Sequence, residues 1–266
     1  MDKSLEIVQT LYGNFVIDEY DLIGKFIKYQ KQWEYHLYEF YSKILNENDY
    51  CIDAGANLGF HTIQFGNISK KVYAFEPQSY VYNQLCANIL FNGLDDKIIP
   101  FKQALGEKED TQQLWNIEHE GWVGNGIHNW GGRGIIQDNY GGDRAINNEH
   151  REHDIVNIIT LDSLNIPQCD LIKMDIQGYE YHALLGAKKL LDKFKPVILL
   201  ENPSQTEECD VKAKQFLLDM EYEVYRYCGA SNKEDCILIH PDSKKYVDAL
   251  LIIDNIKIKY NILQEK

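Results

Sequence analysis

Short apolar runs that stop at glycine or at acidic residues alternate with longer helical segments, and this alternation narrows the fold more than any other feature. Residues 50–54 (YCIDA) run into Gly55, and residues 72–75 run into Glu76-Pro77. Residues 98–103, 170–174 and 196–200 read as three further strands. Between them, residues 60–68, 79–91 and 179–194, and a segment through Phe216 and Leu217, carry helical patterns; the second is closed by Asn92-Gly93. Strands alternating with helices of this kind predict a parallel sheet covered on both faces. The expectation is a Rossmann-like α/β fold with a mostly parallel, seven-stranded sheet, its last two strands a hairpin at 223–227 and 236–240.

Upstream, Leu22, Phe26, Trp33, Leu37, Phe40 and Ile44 recur on one helical face and predict a single amphipathic helix over 22–45. The expected organisation is a strand/helix cap over 1–48, a main domain over 49–240 and a tail over 241–266. Residues 115–153 break the rhythm with eight glycines, Trp115, Trp122, Trp130 and four of the eight histidines. A long irregular insertion in a compact domain is commonly functional. Here it is expected to fold over the carboxyl edge of the sheet and close on a ligand.

Lys and Arg number 27 against 41 Asp and Glu, a net charge of −14 with no basic cluster to offset it. That balance argues against a nucleic-acid partner. No stretch approaches ~18 consecutive apolar residues, so no membrane span is expected. Six cysteines without a CxxC pair suggest reduced, buried thiols. With no apolar signal core in the first residues, a cytoplasmic location is expected. Oligomeric state is not legible.

Ligands of such sheets bind at the carboxyl ends of the strands. The first strand ends Asp53-Ala-Gly55-Ala-Asn57-Leu-Gly59, and Glu76 follows where an acid meets a ribose diol. A dinucleotide loop has G-x-G-x-x-G and seats a pyrophosphate on a helix N-terminus. This loop has G-x-x-x-G, and Asp53 would repel a pyrophosphate. S-adenosylmethionine carries a sulfonium and an ammonium but no phosphate, so it suits the acids better. The expected cofactor contacts are Asp53, Gly55, Asn57, Gly59, Thr62, Glu76 and Gln103.

Residues 51–62 (CIDAGANLGFHT), 72–77 (VYAFEP), 159–164 (ITLDSL), 171–180 (LIKMDIQGYE) and 198–201 (ILLE) together resemble the FkbM-type methyltransferases over about residues 13–240. The resemblance implies a class I methyltransferase fold. It also implies O-methyl transfer to a hydroxyl, often of a sugar or a polyketide-like metabolite. The expected acceptor is therefore a small molecule or glycan. Gln177 departs from the family, which commonly has Glu there.

Methyl transfer needs an acceptor oxygen held in line with the departing sulfur, and sometimes a base or metal for its proton. Asp175 after the fourth strand and Glu201-Asn202 after the fifth resemble the layout of catechol-type enzymes that hold Mg²⁺. Asp175, Glu201 and Asn202 are thus candidate ligands for Mg²⁺. Alternatively they bond neighbouring loops, or Asp175 anchors the acceptor without metal. His61 is a second candidate base, or a helix cap. His182 reads as structural, and His150 and His153 as an exposed polar segment. Lys173, in a buried strand, is expected to snorkel or to pair with an acid. Three rival functions stay open. One is an NAD-type oxidoreductase. Another is an RNA ribose methyltransferase, in which Asp175, Lys195 and Glu201 would supply part of a tetrad. The third is a non-catalytic binding protein.

Overall fold

The structure is a computed structural model that describes residues 4–114, 129, 135, 155–201, 208–228 and 235–265, without the side chains of 208–210. Strands β1 (Leu5–Gln9) and β2 (Asn14–Asp18) form a hairpin, followed by helices α1 (Leu22–Gln30) and α2 (Tyr35–Ile44). The main sheet begins with β3 (Tyr50–Ala54), α3 (Phe60–Ile68), β4 (Lys71–Phe75), α4 (Ser79–Phe91) and β5 (Ile98–Phe101). Strands β6 (Ala104–Leu105), β7 (Asp110–Gln113) and β8 (Ile155–Ile159) make a small separate sheet. The chain returns through β9 (Leu171–Met174), α5 (Glu180–Leu185), α6 (Lys188–Phe194), β10 (Val197–Leu200) and α7 (Glu208–Asp219). It finishes with β11 (Glu223–Tyr227), β12 (Cys236–Ile239), α8 (Tyr246–Tyr260) and β13 (Ile262–Glu265).

The main sheet has eight strands in the order β13-β11-β12-β10-β9-β3-β4-β5. Strands β5, β4, β3, β9 and β10 are mutually parallel, whereas β12, β11 and β13 pair antiparallel. The expected mostly parallel, seven-stranded sheet is corrected on this point. The additional edge strand is four residues long with mostly exposed side chains, so it carries no burial signal in the sequence. Separate apolar clusters cover the two faces, one including Phe40, Phe65 and Ile63, the other Ile52, Met174 and Leu217.

Two expected helices are each broken. The heptad-like pattern over 22–45 becomes α1 and α2, separated by Lys31 and Glu34, both with left-handed φ (59° and 44°). Asp21 caps α1 by accepting from the Gly24 amide at 2.8 Å. The 179–194 helix divides at Gly186, where a Cβ would lie 1.9 Å from the Gly106 carbonyl oxygen. The expected strand at 98–103 likewise ends at Phe101, and the next residues enter the small sheet.

Register sets the site. Ala54 is level with Met174, and Met174 with Leu200. The next residue of each outer strand bonds back one strand: the Asp175 amide donates to Ala54 O and the Glu201 amide to Met174 O, both at 3.0 Å. The carboxyl ends of β3, β9 and β10 therefore form one rim carrying the Gly55 turn, Asp175 and Glu201. Among the described residues no helix is long and apolar enough to cross a membrane.

Candidate active site

A cleft of about 480 Å³ opens along this rim. Its walls include Gly55, Glu76, Gln103, Asp175, Gln177 and Tyr179, with Phe75, Leu114, Ile135 and Ile176 supplying apolar surface. Two carboxylates line the cleft, and among the described residues no Lys or Arg does.

The loop after β3 is held by backbone bonds. The amides of Gly55 and Ala56 both donate to Phe75 O, at 3.0 and 2.9 Å. Gly55 has φ +82°, and a Cβ there would sit 1.8 Å from the Asp175 carbonyl oxygen, so only glycine fits. The Glu76 carboxylate accepts from the amides of Asn57 at 3.0 Å and of Gln78 at 2.9 Å. Those two bonds fix the buried acid at the cleft wall.

Of the expected cofactor contacts, Gly55, Glu76 and Gln103 line the cleft, and Asn57 acts through its amide. Gly59 starts α3 with φ +95° and packs beside Leu85. Asp53 is fully buried behind the loop, where its Oδ2 accepts from the Thr62 hydroxyl and its Oδ1 has no hydrogen-bond partner. Asp53 and Thr62 therefore stand behind the cleft wall, and the acids that face the cleft are Glu76 and Asp175.

A second, smaller cavity also carries Asp175 in its wall. Among the described residues its walls carry Glu34, Lys173, Asp175, Glu201 and Asp235, together with Leu37 and Leu199. Asp175 is the one described residue common to both cavities. Lys173 pairs with Asp175, Nζ to Oδ2 at 3.6 Å, as expected of a lysine in a buried strand. Burial pushes its ammonium pKa down, but the charges of Asp175, Glu34, Asp53 and Glu201 outweigh it and hold the group protonated.

Glu34 reaches this cavity from the break between α1 and α2, and its Oε2 lies 3.0 Å from His61 Nε2. The Nδ1 of the same ring meets the Tyr41 hydroxyl at 3.0 Å. Burial raises the Glu34 pKa, but the His61 bond and the Lys173 charge bring it below the ordinary carboxylate value. His61 lines neither cavity. Both its nitrogens are engaged, which places it as a brace for Glu34. His182 lines neither cavity and stacks on Tyr179 with ring centroids 4.6 Å apart.

Asp175 and Glu201, two of the three candidate metal ligands, are bridged by an amide in this arrangement. Gln177, in a left-handed conformation with φ 56°, donates from Nε2 to Asp175 Oδ1 at 2.7 Å and to Glu201 Oε2 at 3.3 Å. An amide group thus occupies the place between the carboxylates that a cation would need. Among the described residues no group of three or more His, Cys, Asp or Glu side chains has a metal-holding arrangement. Asn202, His150, His153, Trp115, Trp122 and Trp130 lie outside the described residues. So does the expected lid over 115–153, apart from residues 129 and 135.

Sequence reasoning missed Glu34 and Asp235, which come from segments remote from the glycine loop.

A model of the methyltransferase FkbM domain matches residues 53–227. The chain belongs to the FkbM methyltransferase family. Family membership brings with it the use of S-adenosylmethionine as methyl donor. Among solved structures, an FkbM methyltransferase from Methylobacillus flagellatus KT superposes with a TM-score of 0.51 at 16% identity, over 74% of this chain and 44% of that one. A tRNA m1G37 methyltransferase from M. jannaschii gives 0.48 at 16% identity, over 91% and 59%. A Streptococcus mutans methyltransferase solved in complex with SAH gives 0.44 at 12% identity, over 78% and 98%. The chain spans less than two thirds of the length of the first two. A search of curated proteins found no match.

Proposed function

We propose that this FkbM methyltransferase moves the methyl group of S-adenosylmethionine to a hydroxyl of a carbohydrate or small metabolite. The observation that carries the reading is the position of Asp175, shared between a cleft suited to a phosphate-free nucleoside and a second, polar cavity. Glu76 would hold the ribose diol, and Gly55 and Gln103 would bound the donor. The two carboxylates of the cleft favour a cation and disfavour a pyrophosphate, which speaks against a dinucleotide. When bound, S-adenosylmethionine supplies a methyl group on a positively charged sulfur, open to in-line displacement.

The chain's own residues would prepare the acceptor. Asp175 accepts the proton of the hydroxyl as its oxygen bonds to carbon. Gln177 holds Asp175 Oδ1, leaving Oδ2 on the side of Lys173. The Lys173 ammonium favours the developing negative charge on the oxygen. None of these roles calls for Mg²⁺.

Glu76→Ala tests the donor half. Charge-assisted hydrogen bonds contribute ~1.5–3 kcal/mol, so affinity for S-adenosylhomocysteine should fall roughly tenfold or more in titration calorimetry. Unchanged affinity refutes the assignment. Labelled donor incubated with nucleotide sugars, glycans and tRNA, with and without chelator, tests the acceptor class. Label on sugar that survives the chelator is the expected result.

A further inference from the structure

Helix α8 is apolar on two opposite sides. Ala249, Ile252, Ile253 and Ile256 are buried on one, within the cluster that covers one face of the main sheet. Val247, Leu251 and Ile258 lie on the other and are exposed by 66%, 58% and 90%. Their spacing sets them in one stripe running about 16 Å along the helix. The outer side of a surface helix is ordinarily polar, so this stripe calls for a partner.

The charges around the stripe say which partner. Asp254 interrupts it and is paired with Lys257 at 2.8 Å. Asp248 stands in the first turn of α8, and Lys257 and Lys259 in the last. With 3.6 residues per turn, Asp248 and Lys259 fall on the same margin of the stripe, about 20° apart around the axis. Two copies of α8 packed antiparallel about a two-fold axis bring each margin against the same margin of the other copy. Setting Val247 opposite Ile258 then places Leu251 beside Asp254 and Asp248 beside Lys259 of the second copy, and symmetry repeats each contact. A parallel pair would set Asp254 against Asp254 and leave Asp248 without a lysine. A membrane surface fits less well, because an acid sits mid-stripe and the net charge of −14 opposes anionic lipid.

We infer that the outer face of α8 is a docking surface for a second copy of this chain, with the two helices antiparallel. Val247, Leu251 and Ile258 form its apolar centre, and Asp248 pairs with Lys259 of the second copy on either side of the axis. Lys259 already bonds Glu39 of its own chain, so each pair extends a surface network. The surface lies on a helix that lines neither cavity, and the inference does not depend on the acceptor.

Sedimentation velocity of the intact chain tests this over about 1–100 µM protein. The buffer carries about 0.15 M salt, at which the Debye length is about 8 Å and long-range repulsion between the acidic copies is screened. A reversible monomer–dimer equilibrium is expected. Leu251→Lys places a charge in the apolar centre while lowering the net negative charge, so general repulsion cannot be the cause of its effect. It should raise the dissociation constant at least about tenfold. Asp248→Lys and Lys259→Glu should each raise it about fivefold. An equimolar mixture of those two variants should recover near wild-type affinity, because unlike charges then meet at both positions. Far-UV circular dichroism matching wild type shows that each variant is folded. A wild-type chain that stays monomeric throughout overturns the inference and gives the face to a different occupant. A dimer indifferent to Leu251→Lys overturns it as well. A dimer that Leu251→Lys breaks but the charge-reversed mixture does not restore overturns the antiparallel pairing.

Discussion

The cleft at Glu76 is shaped by backbone, and the second cavity at Asp175 by charged side chains. Residues 53–78 supply the glycine loop, its amides and Glu76, and the bonds that fix them all lie within that one stretch of chain. Glu34, Lys173, Glu201 and Asp235 come from four separate segments and meet only when the sheet is assembled. A backbone site has a fixed shape and suits a ligand that does not vary. A side-chain site can be altered one residue at a time without disturbing the loop beside it. The loop half of the site is thus the part that sequence reports directly, and the side-chain half is the part free to diverge.

Substituting Gly55 strikes the backbone-built half and should have the largest effect. A Cβ at that position meets Asp175 O at 1.8 Å, and φ is +82°. Gly55→Ala combines a backbone clash with conformational strain, so a loss of ~4 kcal/mol or more is expected in urea unfolding. A variant of near wild-type stability with intact donor affinity would break the contrast, because the loop would then be adjustable.

Gln177→Glu probes the seam between the two halves at intermediate size. It restores the family's acid but replaces the amide that bridges Asp175 and Glu201. Three adjacent carboxylates raise one another's pKa, so the new acid should titrate above its unfolded value. An acid with a raised folded pKa destabilises above that pKa and ceases to do so below its unfolded value. The variant is therefore expected to be ~1–3 kcal/mol less stable than wild type at pH 8 and close to it at pH 4. Thermal melts across that range decide it, and a pH-independent difference would sink the carboxylate-bridge account.

The smallest effect is expected at Glu39, which ties α2 to α8 through Lys259 and Tyr260. The Lys259 hydrogen bond, then that of Tyr260, holds its pKa down to about 2. An acid with a depressed folded pKa stabilises above its unfolded value near 4.5 and loses that contribution as pH falls through about 2. Because the pair lies at the surface, Glu39→Gln should cost only ~0.5–1 kcal/mol at pH 7, and the gap should close toward pH 2. Acceptor KM should not move. A shift in KM would show that α2 transmits its packing to Glu34, sharpening the picture of how the cap positions that residue.

The parallel core, the glycine turn and Glu76 were legible because each depends on residues close in sequence. The orientation of Asp53 was not legible for a related reason. Spacing puts an acid at the strand end but not on which side of the sheet it points, and the Thr62 hydroxyl draws it behind the loop. The break at 31–34 was hidden because Phe26, Trp33 and Leu37 keep an unbroken helical spacing across it. The break leaves Glu34 in a left-handed conformation, from which it meets His61, 27 residues on. Strand β13 was missed because one buried side chain among four gives no periodicity to detect.

The contact at Gly55 also bears on how the two substrates sense each other. Its backbone touches that of Asp175 with no room for a methyl group, so the donor turn and the end of β9 cannot shift independently. If the turn bounds the donor and Asp175 takes the acceptor's proton, as proposed, an adjustment of one is transmitted to the other. Thermodynamic linkage requires that whatever factor the first ligand imposes on the affinity of the second be returned unchanged. Donor and acceptor would then bind as a cooperative pair, and the demethylated product, lacking the charged sulfur, would loosen its neighbour as it leaves.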